Sequence, residues 1–276
     1  MELGMKATTP EEVHLQEILD ELERVCRTAG DEALAMQAGP LERRYKGEQD
    51  FATAADDRSQ AIIEEALRAR FPEVPLVAEE KPAPAISSKT FFVADPIDGT
   101  HVYAHGAREW TVTIAYIENN LPCCGVVYQP ACGVLMKAAQ GSGCWLDSTR
   151  VKCSAPDCVS DSVIGLEQHS GYSPEQIQRI NTPLSQATLG TRMLSAATAG
   201  CLDLLQGVTA AYVNVIGAKI WDFAAAYVGI REAGGAAYAL DGSELNWDSI
   251  PMDAVFAANE HLARNILGII ANQMAT

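Results

Sequence analysis

Six consecutive residues, Asp95-Pro96-Ile97-Asp98-Gly99-Thr100, combine two carboxylates with a proline and a glycine. Ahead of them Phe91-Phe92-Val93-Ala94 is an uncharged apolar run that reads as a buried strand. Pro96 has no N–H to give to a ladder, so the strand is expected to stop there and to present Asp95 and Asp98 on a bend. Gly99 can take backbone angles closed to other residues. Two carboxylates this close to an apolar strand are costly unless a cation or hydrogen-bond donors satisfy them. Three more acids, Asp50, Glu79 and Asp222, are each expected at the end of an element, where side chains are displayed. Magnesium takes oxygen ligands of this kind, often shared with a substrate phosphate. Two such ions can activate a water and stabilise the departing oxygen in an in-line attack at phosphorus. Glu79, Asp95, Asp98 and Asp222 are the candidates to hold the pair. Each also has an ordinary reading: Asp222 as a helix cap, Asp95 as a turn former, Glu79-Glu80 as a solvated loop, Asp50 as a polar loop residue.

The elements that would position these acids can be read from periodicity. Thr9 to Gly30 has helical spacing at Val13, Ile18, Leu19, Leu22 and Val25, with an interruption expected near Gly30. Lys46 to Asp50 reads as a loop, and Thr53 or Asp56 as the cap of a helix to Arg70. A short strand, Leu76 to Ala78, delivers Glu79, and Lys81 to Ser88 is a proline-bearing surface loop. Strands then follow one another at Trp110 to Glu118, Cys123 to Tyr128, Gly133 to Ala138 and Gly143 to Leu146, with turn signals between them: an antiparallel meander. Beyond it come a strand at Val163 to Leu166, a helix at Ser173 to Ile180 and a strand at Gln186 to Leu189. An alanine-rich helix at Arg192 to Leu205 precedes a strand at Ala210 to Val215 and a helix from Trp221 or Asp222 to Glu232. Short strands at Ala236 to Leu240 and Phe256 to Ala258 and a closing helix, His261 to Met274, finish the chain. The composition changes near 155 to 162. We therefore expect an N-terminal half, 1–158, with most of the metal ligands, and a C-terminal half, 159–276, with Asp222 and part of the substrate pocket.

The chain has 276 residues, 48% of them hydrophobic, enough for a sizeable core, and a formal net charge of −16. No basic patch points to nucleic acid, and no run of about 18 uncharged apolar residues points to a membrane span. The start does not resemble a signal peptide, so a cytoplasmic location is expected. An anionic substrate would be repelled by the bare protein, and bound cations are the simplest remedy. The eight cysteines contain no CxxC pair and read as free, mostly buried thiols rather than zinc ligands or disulfides.

Phe92 to Thr100, together with Ile220-Trp221-Asp222-Phe223-Ala224-Ala225-Ala226 and Glu232-Ala233-Gly234-Gly235, resembles the paired motifs of the inositol monophosphatase superfamily. These are magnesium-dependent, lithium-sensitive phosphatases related to bisphosphate nucleotidases and fructose-1,6-bisphosphatase. Asp50-x-x-Thr53-x-x-Asp56, Val77-Ala78-Glu79-Glu80 and Phe256-Ala257-Ala258-Asn259 add to the match, which spans about residues 46 to 260 in the family's order. The resemblance implies an α+β fold layered αβαβα, with a largely antiparallel N-terminal sheet and a smaller mixed C-terminal sheet. It implies that Glu79, Asp95 and the Ile97 carbonyl hold a first magnesium and Asp95, Asp98 and Asp222 a second, with a third, weaker ion using Glu79. Asp50 and Thr100, with Glu79, would orient and activate the attacking water, and Gly99 and Thr100 would meet the phosphate. A small phosphorylated metabolite is the implied partner, and a homodimer the implied assembly. Hydrolysis would be direct, so neither serine nor cysteine is a nucleophile candidate.

Substrate choice is where the sequence departs from the pattern. His101-Val102-Tyr103 follows Thr100 where relatives carry Thr-Asn-Phe or, in bisphosphate nucleotidases, Lys-Glu-Phe. Arg192-Met193-Leu194-Ser195-Ala196 stands where Arg-Ser-x-Gly-Ser/Thr is usual. Seven residues before Asp222, where inositol-hydrolysing members place a glutamate, this chain has Val215, with Asn214 beside it, and a valine cannot accept a hydroxyl hydrogen bond. His101, Ser195, Ala196, Val215 and Lys219 are the candidate substrate contacts. The expected activity is inositol-monophosphatase-like. The alternatives are a 3'(2'),5'-bisphosphate nucleotidase, a histidinol or sugar phosphatase, and a non-catalytic regulatory protein.

Overall fold

The computed structural model describes residues 10–39, 41–47, 50–80, 86, 88–154, 156–167, 173–215 and 217–274. The N-terminal start and most of the Lys81–Ser88 loop lie outside them. The chain opens with helix α1 (Pro10–Gln37), a small hairpin of β1 (Arg43–Tyr45) and β2 (Phe51–Thr53), and helix α2 (Ala54–Arg70). A seven-stranded sheet follows: β3 (Leu76–Ala78), β4 (Phe91–Asp98), β5 (Thr111–Glu118), β6 (Leu121–Gln129), β7 (Val134–Ala139), β8 (Gly143–Leu146) and β9 (Thr149–Val151), in that order across the sheet. Short helix α3 (Thr100–Ala104) links β4 to β5. Only β3–β4 is parallel, so the sheet is largely antiparallel as expected.

The second sheet is built from β10 (Val163–Glu167), β11 (Gly190–Arg192), β12 (Ala211–Asn214), β13 (Ala236–Tyr238) and β14 (Ala254–Ala257), in the order β11-β10-β12-β14-β13. Its β10 pairs are parallel and its β14 pairs antiparallel, a mixed sheet. Helices α4 (Pro174–Ala187), α5 (Ala197–Leu205), α6 (Ile220–Glu232) and α7 (Glu260–Met274) complete the chain. Three apolar clusters define the αβαβα layers. One joins α1 and α2 to the outer face of the first sheet. The central one packs α5 and α6 between the two sheets. The third joins α4 and α7 to the outer face of the second sheet. Among the described residues no helix is long and apolar enough to cross a membrane.

Four local expectations change. α1 runs unbroken through Gly30, because that glycine serves packing rather than a turn: a Cβ there would sit 2.6 Å from the Tyr128 ring and 2.7 Å from Pro130. β4 does not stop at Pro96 but continues to Asp98. α4 extends over Gln186-Ala187, since Ile180 and Leu184, four residues apart, both bury against the outer core; the strand forms later, at Gly190–Arg192. α5 begins at Ala197, not Arg192, because Ser195 has φ +57 and cannot belong to a right-handed helix. Of the eight cysteines, all free, five are buried, one is half-buried, and Cys132 and Cys158 are exposed.

Candidate active site

A bulge in β4 puts both aspartates on the same face. Phe91 and Val93 point into the central core, Phe92 and Ala94 into the outer one, so Asp95 belongs to the central side. A regular strand would turn Asp98 to the opposite side. In this chain Asp95 pairs with Thr113 and Asp98 with Thr111, three steps on one strand against two on the other. The extra residue lets Asp98 face the central layer while Ile97 fills the outer core. Pro96 fits there because a bulge asks for no ladder N–H, and its carbonyl accepts from Ser59 Oγ at 2.8 Å.

The second half of the chain meets this face with two helix starts. The amides of Ala197 and Thr198, in the first turn of α5, donate to the two oxygens of Asp98 at 3.0 and 2.7 Å. Asp222 lies in the first turn of α6, where it accepts from the Lys219 amide at 2.7 Å. The cap position is therefore Lys219, and Asp222 is left with its other oxygen toward the sheet. Carboxylate oxygens of Asp95, Asp98 and Asp222 come within 4.8 Å of one another. Such a set of oxygens, largely buried and of one sign, suits a hard divalent cation.

A cleft of about 560 Å³ opens over this cluster. Asp50, Glu79, Ile97, Gly99, Thr100, His101, Ser195, Ala196 and Lys219 line it with the three aspartates. Gly99 has φ +88, and a Cβ on it would come 2.7 Å from Ala196 Cβ, so both backbone angle and space demand glycine. Val215 is not brought in. It is buried in the outer core with Val213, on the far face of its strand, while Asn214 on the near face lines the cleft beside Glu167. Strand alternation through Val213-Asn214-Val215 is the signal that could have found Asn214.

Two further groups were missed. Thr100 Oγ1 donates to Asp56 Oδ1 at 2.8 Å, whereas Asp50 is exposed on the hairpin loop. Lys46 sits on the same loop with its Nζ 3.1 Å from Glu79 and 2.5 Å from Glu80. His101 packs against Phe51 at 4.6 Å between centroids, with the rings tilted by 55°, at the exposed rim. Lys219 gives its Nζ to the Gly217 carbonyl at 2.7 Å.

Burial and like charge push the acids up together. Asp95 and Asp222 are held well above the usual carboxylate range by burial first and by the neighbouring carboxylates next. Asp98 is raised by burial, with the α5 amides pulling the other way. Glu79 is pushed up to about 7, burial outweighing the Lys46 ammonium, and Asp56 to about 6, again by burial.

A model of the inositol monophosphatase family matches residues 14–275. The chain belongs to that family. Its members are phosphatases, metal-dependent and generally using magnesium, and a cluster of acidic residues is present in this chain. Within this family the chain is 30% identical to the fructose-1,6-bisphosphatase/inositol-1-monophosphatase of Thermotoga maritima over 203 residues, 72% of this chain and 75% of that one. It is 27% identical to the 3'(2'),5'-bisphosphate nucleotidase CysQ of Escherichia coli, over 86% of this chain and 93% of the other. The fold superimposes on the extragenic suppressor protein suhB of Bartonella henselae with a TM-score of 0.85, at 24% identity, covering 92% of this chain and 98% of that one.

Proposed function

We propose that this chain hydrolyses a small-molecule phosphomonoester with magnesium held by Asp95, Asp98 and Asp222, joined by Glu79 and the Ile97 carbonyl. The observation that carries this is the convergence of three carboxylates, from β4 and from the start of α6, to within 4.8 Å at the floor of a cleft. When bound, magnesium supplies the positive charge that activates a water and offsets the charge on the departing oxygen. The chain's own groups do the rest. Asp98 is steadied by two α5 amides, which fixes its carboxylate before any ligand arrives. Thr100, held by Asp56, presents its hydroxyl oxygen to the cleft as an acceptor for a proton of the attacking water. Asp50 stands at the rim as a second acceptor. Gly99 and Thr100, where β4 ends, would take the phosphate. His101, Ser195, Ala196 and Lys219 surround the space left for the alcohol. The intact acidic set speaks against a purely regulatory role, and His101-Val102 in place of Lys-Glu speaks against a bisphosphate nucleotidase.

The deciding experiment is phosphate release from myo-inositol 1-phosphate, fructose 1,6-bisphosphate, L-histidinol phosphate, adenosine 3',5'-bisphosphate and p-nitrophenyl phosphate, with magnesium and with EDTA. Release that needs magnesium and is lowered by lithium is expected. Full activity in EDTA, or none on any ester with metal-binding intact, would overturn the reading.

A further inference from the structure

Helices α5 and α6 both begin at the acidic cluster, and one side chain ties their starts together. Ala196 stands at the cap of α5 and makes no side-chain cap hydrogen bond. The first amides of α5 turn to the other half of the chain instead, those of Ala197 and Thr198 donating to the two oxygens of Asp98. Thr198 also reaches the other way. Its Oγ1 donates to the main-chain carbonyl of Asp222, in the first turn of α6, at 2.9 Å. A carbonyl oxygen has two lone pairs, so Asp222 takes this bond without giving up its helical one. Thr198 is 0% exposed, so solvent does not compete for either bond. Propensity does not explain the residue: the rest of α5 is alanine, glycine, cysteine, leucine and one aspartate, and threonine favours a helix less than alanine does. A hydroxyl sunk in this layer is costly unless it is bonded, and here its bond crosses to α6.

One residue thus hydrogen-bonds to two of the clustered acids, through its amide to the carboxylate of Asp98 on β4 and through its hydroxyl to the backbone of Asp222 on α6. The Asp222 carboxylate is fixed in turn to its own helix start by the Lys219 amide. Where the backbone of Asp222 sits therefore decides where its free oxygen sits relative to Asp98. Magnesium holds its ligands at ~2.0–2.1 Å in a near-ideal octahedron, whereas calcium takes ~2.3–2.6 Å in a looser shell. A rigid spacing between two carboxylates penalises the larger ion, and a yielding one does not.

We propose that Thr198 is a positioning residue that sets the spacing of Asp98 and Asp222 and so makes the site prefer magnesium to calcium. This rests on the phosphomonoesterase reading above, which assigns the ion to these acids. Thr198 meets neither ion nor ester and acts through the two aspartates.

The test compares wild type with Thr198→Val, which keeps the shape and the amide but loses the hydroxyl, and Thr198→Ser, which keeps the hydroxyl. Magnesium and calcium binding are each measured by calorimetry on the metal-stripped full chain, with no ester present. The readout is the ratio of the calcium Kd to the magnesium Kd. Wild type binds magnesium more tightly, and Thr198→Ser keeps its ratio within threefold. Thr198→Val lowers the ratio at least tenfold. Thr198→Ala carries the same expectation as valine should valine not pack, with the melting temperature of each metal-free variant as the check. A ratio unchanged in the variants that lack the hydroxyl, an equal loss of both ions, a serine variant that behaves as valine does, or a wild type that prefers calcium overturns the assignment. Phosphate release from p-nitrophenyl phosphate by the wild type, with magnesium and with EDTA, is run alongside. Where that release needs magnesium, the phosphomonoesterase reading survives each of these outcomes. A wild type that neither binds magnesium nor releases phosphate removes both.

Discussion

Thr100 and Asp56 are joined by a hydrogen bond of 2.8 Å from Oγ1 to Oδ1. The other oxygen of Asp56 accepts from the Thr53 amide at 2.7 Å and from the Thr53 hydroxyl at 2.6 Å. One buried carboxylate therefore closes the capping box of α2 and fixes a hydroxyl in the cleft. Stability and orientation are coupled through it, and the two can be separated by mutation. Thr100→Val removes the hydroxyl and is expected to lower kcat by about a hundredfold or more, with little change in melting temperature. Asp56→Asn weakens the cap as well and should cost about 1 kcal/mol of stability besides activity. Wild-type turnover in Thr100→Val would take the hydroxyl out of the chemistry.

Asp95 is raised by burial first and then by the charges of Glu79, Asp222 and Asp98. Asp95→Asn should reduce magnesium-dependent turnover by more than about a hundredfold, through lost metal affinity. The metal-free variant should melt higher than metal-free wild type, because one of the repelling charges is gone. A variant that melts lower without metal would show that the carboxylate is held by donors rather than strained by its neighbours.

The same crowding makes metal-free stability depend on pH. Folding raises Asp56 to about 6 and Glu79 to about 7, and Asp95, Asp98 and Asp222 rise with them. Between the ordinary carboxylate range and these raised values the folded chain binds more protons than the unfolded one. Metal-free stability therefore falls as pH rises from the ordinary carboxylate range to 7. Saturating magnesium binds only the folded chain and should reverse the slope at neutral pH. Scanning calorimetry at both ends of that range, with magnesium and with EDTA, reads the sign directly.

Lys46 occupies Glu79 and Glu80 with a charge of its own. An ammonium and a cation cannot both neutralise one carboxylate oxygen, so Lys46 competes with any ion that uses Glu79. Lys46→Met should tighten the weakest magnesium-binding step seen by calorimetry. Weaker binding in that variant would mean that the lysine shapes the loop rather than competes.

Gly99→Ala tests the close approach of the two halves. The alanine would need φ near +88 and room that Ala196 takes up. The angle alone costs about 1–2 kcal/mol, and relieving the contact moves Ser195-Ala196 away from β4. Both stability and activity should fall. A variant with wild-type kcat would show that this loop is free to yield.

The sequence made much of the site legible because local chemistry specifies it. Phe91-Phe92-Val93-Ala94 before two aspartates reads as a buried strand that ends in charge, and glycine after Asp98 marks the turn. A cap at Thr53 or Asp56 followed from residue type and spacing, and Thr53 takes it with Asp56 closing the box; the meander followed from its turn residues. The sheet layers could also be read in advance, through the resemblance carried by these motifs. What stayed hidden depends on residues far apart in the chain. Whether Pro96 ends β4 or sits in a bulge is decided by the strand opposite, where Thr111 and Thr113 set the register. Whether Gly30 breaks a helix or lets it approach a sheet is decided by Tyr128, almost a hundred residues away. The resemblance paired Thr100 with Asp50, and only the packing of α2 against β4 brings Asp56 under the hydroxyl instead. Val215 and Asn214 are adjacent, and the pleat of β12, fixed by its pairing with β10 and β14, sends one into the outer core and the other into the cleft. The sequence by itself singled out Asp95, Asp98 and Asp222, the three acids whose oxygens the fold brings together. The tertiary structure alone decided which faces those elements turn to one another, because a face is a property of register and register is set between strands.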